Sequence, residues 1–304
     1  MSNETMTVMG ATGRTGGEVT RRMLDAGVRV RAVGRSASKL AELEAAGAEP
    51  LCGDAGDAGF LAGTFQGATA AYVMLPFEMT WSDAYAEMDR IGEAIVTAAR
   101  EARLPYLVAL SSLGADRPSG TGLIVGLHRQ EQRLRSLRES NVLLLRPGMF
   151  YETFDQSVEL IERHGAHYDA VAPDVPLPMV STRDIGAEAA RALLERDWQD
   201  VAVREILGQR DLSYAEATRI LAERLGREGV GYVQVPYRDM AEELIRQGAS
   251  TDVARLYIDM VRAFNEGRVT SLEGRGPASI TPTPFEEFAD ELVGRLANQD
   301  SGTW

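Results

Sequence analysis

The chain has 304 residues, 44% of them hydrophobic and 25% charged, enough to bury a full core as one large α/β domain or as one domain plus a smaller one. A formal net charge of −13 weighs against direct nucleic-acid binding, and no apolar run approaches the roughly 20 residues of a membrane helix. The single cysteine, Cys52, excludes an internal disulfide, and Met1–Thr5 has neither a basic start nor an apolar export core, so a cytoplasmic protein is expected.

In chain order, Thr5–Met9 reads as a short buried strand, followed by Gly10-Ala11-Thr12-Gly13-Arg14-Thr15-Gly16 and then an amphipathic helix bearing Val19, Met23 and Leu24. Glycine serves such a turn by its backbone freedom and by admitting a ligand's phosphates, and the helix start offers unpaired N–H groups to a pyrophosphate. A purely structural turn is the alternative, but the strand–glycines–helix context is the one that a dinucleotide site requires. Strands are next expected at Val28–Val33, Glu49–Cys52, Ala70–Leu75, Tyr106–Leu110 and Val142–Leu145. Helices separate them near 38–46, 57–65, 82–102 and 123–139. Alternating helices and nearly all-apolar strands predict a doubly wound, mainly parallel sheet of Rossmann type. Its ligand loops would follow Gly10, Arg35, Asp54, Leu75 and Ser111.

Beyond Pro147 the pattern is less regular. Phe150–Arg163 reads as helix and His164–Pro178 as a proline-containing loop. A helix from Asp184 to Leu194, capped by Ser181 or Thr182, is expected to pack back on the sheet, with a strand near Glu205–Leu207. Helices at 214–225, 238–247, 253–265 and 284–297, with a strand at 230–235, form a smaller substrate or lid region. The expected division is therefore 1–150 for the cofactor domain, joined by 180–210, and 151–304 for the mostly helical lid. Ser301–Trp304 is expected to fray.

An NAD site places an acidic residue about 20 residues past the glycines. Here the second strand ends in Gly34-Arg35-Ser36 with no carboxylate. Arg35 offers a planar fork for a 2′-phosphate, Lys39 (the only lysine) lies one turn on, and Arg14 supplies a third charge, which predicts NADP(H). A solvated basic face is the bland alternative. Asp54 suits the adenine amino group or a simple turn, and Ala55, Met74, Leu75 and Pro76 complete the expected cofactor wall. Phe77, Trp81, Phe150 and Tyr151 follow the fourth and sixth strands and point to an apolar, aromatic substrate pocket. His164 and His167 lack a partnering carboxylate pattern, so no metal is expected. Arg129, Arg133, Arg135 and Arg138 with Glu131 and Glu139 read as a solvated, ion-paired face.

The glycine loop at 10–16, Val-Gly-Arg-Ser at 33–36, Gly-Asp at 53–54 and Arg-Pro-Gly-Met-Phe at 146–150 resemble the atypical short-chain dehydrogenases/reductases. Ser-Thr-Arg-Asp-Ile-Gly at 181–186 and Leu-Gly-Gln at 207–209 place the resemblance in their NmrA-like group, over nearly the whole chain. It implies a Rossmann fold and NADP(H), with Pro147 also at the cofactor. Members of the wider superfamily reduce carbonyls with a tyrosine and a lysine four residues later. Registered on Glu131, those positions hold Ile124 and His128, so the usual proton relay is absent. His128 is left as a ribose contact, a proton donor or a structural residue, and Ser111, in the superfamily's active-site serine region, as a substrate contact or a helix cap.

Two functions are consistent with these residues. One is an NADPH-dependent oxidoreductase for a flat apolar acceptor, such as a quinone or conjugated carbonyl, including those of specialised metabolism. The other is a non-catalytic NADP(H)-binding redox sensor that acts through a protein partner.

Overall fold

The structure, a computed structural model, describes residues 4–300, the side chains of 297–300 excepted; the fraying expected at Ser301–Trp304 falls outside these residues. The first half alternates as expected. The run is β1 (Thr5–Met9), α1 (Arg14–Asp25), β2 (Arg29–Gly34), α2 (Ala37–Ala45), β3 (Glu49–Cys52), α3 (Ala58–Phe65), β4 (Ala70–Val73), α4 (Ala84–Glu101), β5 (Tyr106–Leu110), α5 (Ile124–Leu134) and β6 (Asn141–Pro147). There follow β7 (Met149–Phe150), a 3₁₀ turn (Tyr151–Phe154), α6 (Ser157–His164), β8 (Ala166–Asp169), β9 (Leu177–Val180), α7 (Thr182–Glu195) and β10 (Val201–Ile206). The remainder is β11 (Asp211–Leu212), α8 (Tyr214–Arg224), β12 (Gly231–Gln234), α9 (Tyr237–Arg246), α10 (Thr251–Asn265) and α11 (Phe285–Asp300).

The main sheet has seven strands in the order β10-β6-β5-β4-β1-β2-β3, every neighbouring pair parallel. Its strand order reverses between β1 and β4, the crevice where such sheets bind ligands. Both faces are covered, which is why the strands carry apolar residues on either side. Met6, Val8, Val30 and Leu145 pack under α1 and α7, while Met9, Val73, Leu107 and Leu144 pack under α3 and α4. The landmark at 181–186 has a packing reason. Ser181 caps α7 by accepting from the Arg183 N–H at 3.2 Å, and a Cβ on Gly186 would meet Glu18 Cβ at 2.6 Å, so glycine lets α7 close on α1.

A third core, built on Tyr151, Phe154, Tyr214 and Phe285, holds the C-terminal region, of which α9–α11 form a lid-like helical part. Two expectations need correction there. The 164–178 segment is not all loop: it contains β8, which pairs in parallel with β12, and the start of β9. The helix expected from Phe150 begins only at Ser157, after β7 and the 3₁₀ turn. No described helix is long and apolar enough to cross a membrane.

Candidate functional site

At the switch point the chain leaves β1 through Gly10, whose φ of 63° lies in the left-handed region. The Gly13 N–H donates to the Gly10 carbonyl at 2.8 Å and closes the turn. A Cβ on Gly16 would stand 2.3 Å from the Gly10 carbonyl oxygen, so this glycine is required by the backbone itself. Helix α1 then starts with no side-chain cap and no acidic residue in its first turn. Its first N–H groups are therefore available to an anion, each such site favouring negative charge by about 0.3–1 kcal/mol. The Thr15 hydroxyl accepts from the fully buried Tyr72 at 2.9 Å and keeps its own proton for a ligand. These features fit a pyrophosphate.

A cavity of about 360 Å³ runs from this loop across the ends of β2 and β4. Gly10, Thr12, Gly13, Arg14 and Thr15 form one wall, Arg35 and Ala55 another, and Met74, Pro76, Phe77 and Phe150 a third, apolar one. The basic groups do not converge as expected. Arg35 stands at the cleft and is ion-paired with Glu78 from the loop after β4. Arg14 reaches the other way and pairs with Asp155 at 2.6 Å. Lys39 is exposed on α2, outside the cavity wall. Of the three, Arg35 is the one at the cleft whose ion-pair partner also comes from the loops at the strand ends. Ser36 caps α2 through the Lys39 N–H at 3.4 Å. Asp54 is also outside the lining; it accepts from the Gly56 N–H and pairs with Arg90, and these bonds, the backbone one first, hold its carboxyl below the usual range.

The two residues proposed for catalysis are engaged elsewhere. Ser111, at the end of β5, donates to Glu131 at 2.6 Å, and Glu131 is gripped by Arg146 at 2.8 and 2.6 Å. Glu131 is 1% exposed, so it is not on a solvated face as the sequence predicts, although it keeps an i,i+4 ion pair with Arg135 at 3.6 Å. Arg129 and Arg133 do pair, with Asp89 of α4 across the helix interface. Ile124 is buried against Leu113 and Leu207. The His128 Nδ1 lies 2.8 Å from the Ala115 carbonyl, which can only accept, so Nδ1 carries the proton and Nε2 is the free nitrogen. Neither Ser111 nor His128 lines the cleft.

Of the expected substrate residues, Phe77 and Phe150 face the cavity, and Trp81 backs Phe77 in an edge-on contact at 5.6 Å. Tyr151 does not face it. It is 1% exposed, packs on Phe285 and donates to the Thr283 carbonyl at 3.2 Å. Leu75 is buried in the sheet core, and Pro147 lies against a separate 40 Å³ void. Val33, Gly34, Gly53 and Leu110 also line the cleft; as strand ends they carry a topological signal, one that selects positions without distinguishing their side chains. Thr182 lines it too, held by donating to Glu152 at 2.6 Å; in the sequence it reads only as a helix-cap candidate within the 181–186 landmark.

A seven-stranded parallel sheet with an uncapped, glycine-led helix at its switch point defines a dinucleotide-binding Rossmann protein. Within that class the chain belongs to the NmrA-like family, whose model matches residues 2–289. It is 26% identical over 251 residues to the NAD(P)H azoreductase of Xenophilus azovorans, spanning 81% of this chain and 82% of that protein. It is 29% identical over 293 residues to the (4-alkanoyl-5-oxo-2,5-dihydrofuran-3-yl)methyl phosphate reductase of Streptomyces griseus, spanning 95% and 93%. Its fold is similar to that of an NADPH-dependent quinone oxidoreductase from Escherichia coli solved with NADPH, with a TM-score of 0.80, 23% identity, and coverage of 95% of this chain and 99% of that one.

Proposed function

We propose that this protein is an NADP(H)-dependent oxidoreductase acting on a flat, apolar acceptor such as a quinone or a conjugated carbonyl. The observation that carries the reading is one cleft lined both by the glycine loop with its phosphate-binding features and by the rings of Phe77 and Phe150. Curated relatives that are an NAD(P)H azoreductase and a phosphate-ester reductase support it. When bound, the cofactor supplies the hydride. The chain's part is to hold the phosphates at the first turn of α1, to meet the 2′-phosphate with Arg35 and to present an acceptor between Phe77, backed by Trp81, and Phe150. In this reading residues 1–150, with 180–210, hold the cofactor, and the rest of 151–304 covers it.

Among the described residues no side-chain acid lines the cleft in place of the missing tyrosine, so the acceptor's proton comes from solvent. That suits acceptors whose reduced form is a stabilised anion and disfavours simple ketones. NADPH oxidation is to be followed with a panel of quinones and simple ketones. Quinone-dependent turnover that Phe77→Ala reduces supports the reading.

A second reading, a redox sensor that binds NADP(H) without turnover, is favoured by the engagement of Ser111 and His128 in the bonds described above. Binding of NADPH with no oxidation of it by any acceptor would select that reading. Failure to bind any of NADPH, NADP, NADH or NAD would overturn both.

A further inference from the structure

The C-terminal region encloses a second cavity, of about 590 Å³, with walls from α6, β8, α9 and α10. It shares no lining residue with the cofactor cleft. Its volume lies within the range typical of small-molecule sites, roughly 300–1,000 Å³. Leu160 of α6 and Met240 and Leu244 of α9 supply apolar lining.

The lining is also polar and acidic. Asp169, the last residue of β8, is half-buried there and accepts from the Val171 N–H at 3.0 Å. Burial raises its carboxyl above the usual range, opposed only by backbone N–H groups of Val171 and Ala170; among the described residues no cation contributes. The neighbouring His167 supplies no positive charge either. Its Nε2 meets the Ser157 hydroxyl at 3.1 Å and its Nδ1 the Thr218 hydroxyl at 2.9 Å, and burial pushes it down to about 4, leaving it neutral. The remaining charged groups at the wall are Asp239, Glu243 and Arg246, the last bonded to Glu243 at 2.5 Å, with the exposed imidazole of His164 at the edge. Tyr168 and Tyr257 are on the same lining, and burial, with the charge of Asp169, raises the Tyr257 phenol above its usual range.

We propose that this cavity is a second ligand site, one that takes a small molecule with a flat or alicyclic apolar body and a protonated amine. The ammonium bonds Asp169, and the body lies among Leu160, Met240 and Leu244. Two reasons select this chemistry. A half-buried carboxylate without a cation gains a charge-assisted hydrogen bond from an ammonium group. A carboxylate or phosphate ligand would meet Asp169, Asp239 and Glu243 with like charge.

The test is calorimetric titration of the full chain with 2-(1-naphthyl)ethylamine and with the neutral 2-(1-naphthyl)ethanol, at about pH 8 where the amine is protonated. NADPH is held at saturation to keep the cofactor cleft out of the comparison. The amine is expected to bind roughly tenfold or more tightly than the alcohol. Asp169→Asn retains the acceptor for the Val171 N–H and should erase that preference. Leu160→Trp should abolish binding of both probes, with the circular dichroism spectrum unchanged. The proposal is overturned by equal affinity for the two probes, by binding of neither, by an unchanged preference in Asp169→Asn, or by unchanged binding in Leu160→Trp.

Discussion

Arg146 of β6 and Glu131 of α5 form a bidentate ion pair inside the protein, with side chains 7% and 2% exposed. The Ser111 hydroxyl, which donates to the same carboxylate, completes a network that ties the ends of β5 and β6 to α5. The bonds it donates to Glu131 raise the Arg146 guanidinium above its usual range, so it stays charged at every accessible pH.

Removing Arg146 leaves the buried Glu131 carboxylate only the longer, part-exposed contact with Arg135 at 3.6 Å. Arg146→Met is expected to cost about 3–5 kcal/mol, read as a fall in the urea midpoint. Ser111→Ala removes one bond to a carboxylate that keeps its guanidinium, at a cost of about 1–3 kcal/mol. If the serine is only part of this network, quinone-dependent NADPH oxidation by the folded Ser111→Ala variant stays within about twofold of wild type. Loss of turnover at unchanged stability would return Ser111 to the substrate.

The Arg35–Glu78 pair makes a separate prediction. Both side chains are substantially exposed, at 59% and 37%, so the pair contributes little, on the order of 0–1 kcal/mol, and yields to a phosphate. Glu78→Gln should raise NADPH affinity by up to about fivefold. Arg35→Ser should lower it by about 10–100-fold. Neither should alter NADH affinity, which calorimetry with both cofactors checks. Equal losses for NADPH and NADH in Arg35→Ser would mean that the arginine shapes the loop without contacting a 2′-phosphate.

The sheet and the cleft's outline are legible in the sequence because they rest on local signals. Strand and helix periods differ, and Gly10, Gly13 and Gly16 mark a turn that few other residues can make. The choice of side chain within the cleft is less legible. Phe150 and Tyr151 are adjacent where β7 passes into the 3₁₀ turn, and one residue's advance sends Phe150 to the cavity and Tyr151 to the C-terminal core. Lys39 follows Arg35 by one turn in sequence, yet Leu40 takes the buried side of α2 and the lysine points to solvent. The charges on α5 look uniformly solvated until β6 brings Arg146 against Glu131, a contact between residues 15 apart that no helical spacing encodes.

The glycine loop offers an internal contrast. At Gly16 an added Cβ would lie 2.3 Å from a backbone oxygen, whereas at Gly17 the nearest atom, the Ala11 carbonyl oxygen, is 3.4 Å away. Gly16→Ala therefore has to move the loop backbone and is expected to cost about 1–3 kcal/mol and weaken NADPH binding by more than about tenfold. Gly17→Ala should leave both nearly unchanged, or slightly raise stability by improving helix propensity. Thermal melts with and without NADPH separate the two variants. Matching behaviour would mean that the loop is plastic.

His167 sets a pH dependence of stability. Burial lowers its pKa from the ordinary 6.5 to about 4, so between those values the unfolded chain binds a proton that the folded chain refuses. Stability is full above about pH 6.5, falls as pH drops through that window, and stops falling on this account below about pH 4. The shift corresponds to a loss of about 3 kcal/mol across the window. Urea unfolding between pH 7.5 and 4.5 follows most of it (roughly two of the 1.36 kcal/mol steps). His167→Gln keeps polar contact with Ser157 and Thr218 without a titrating ring. It should flatten the dependence by about that amount while lowering stability at neutral pH. A variant whose stability declines as steeply as the wild type over this range would assign the acid sensitivity to other groups.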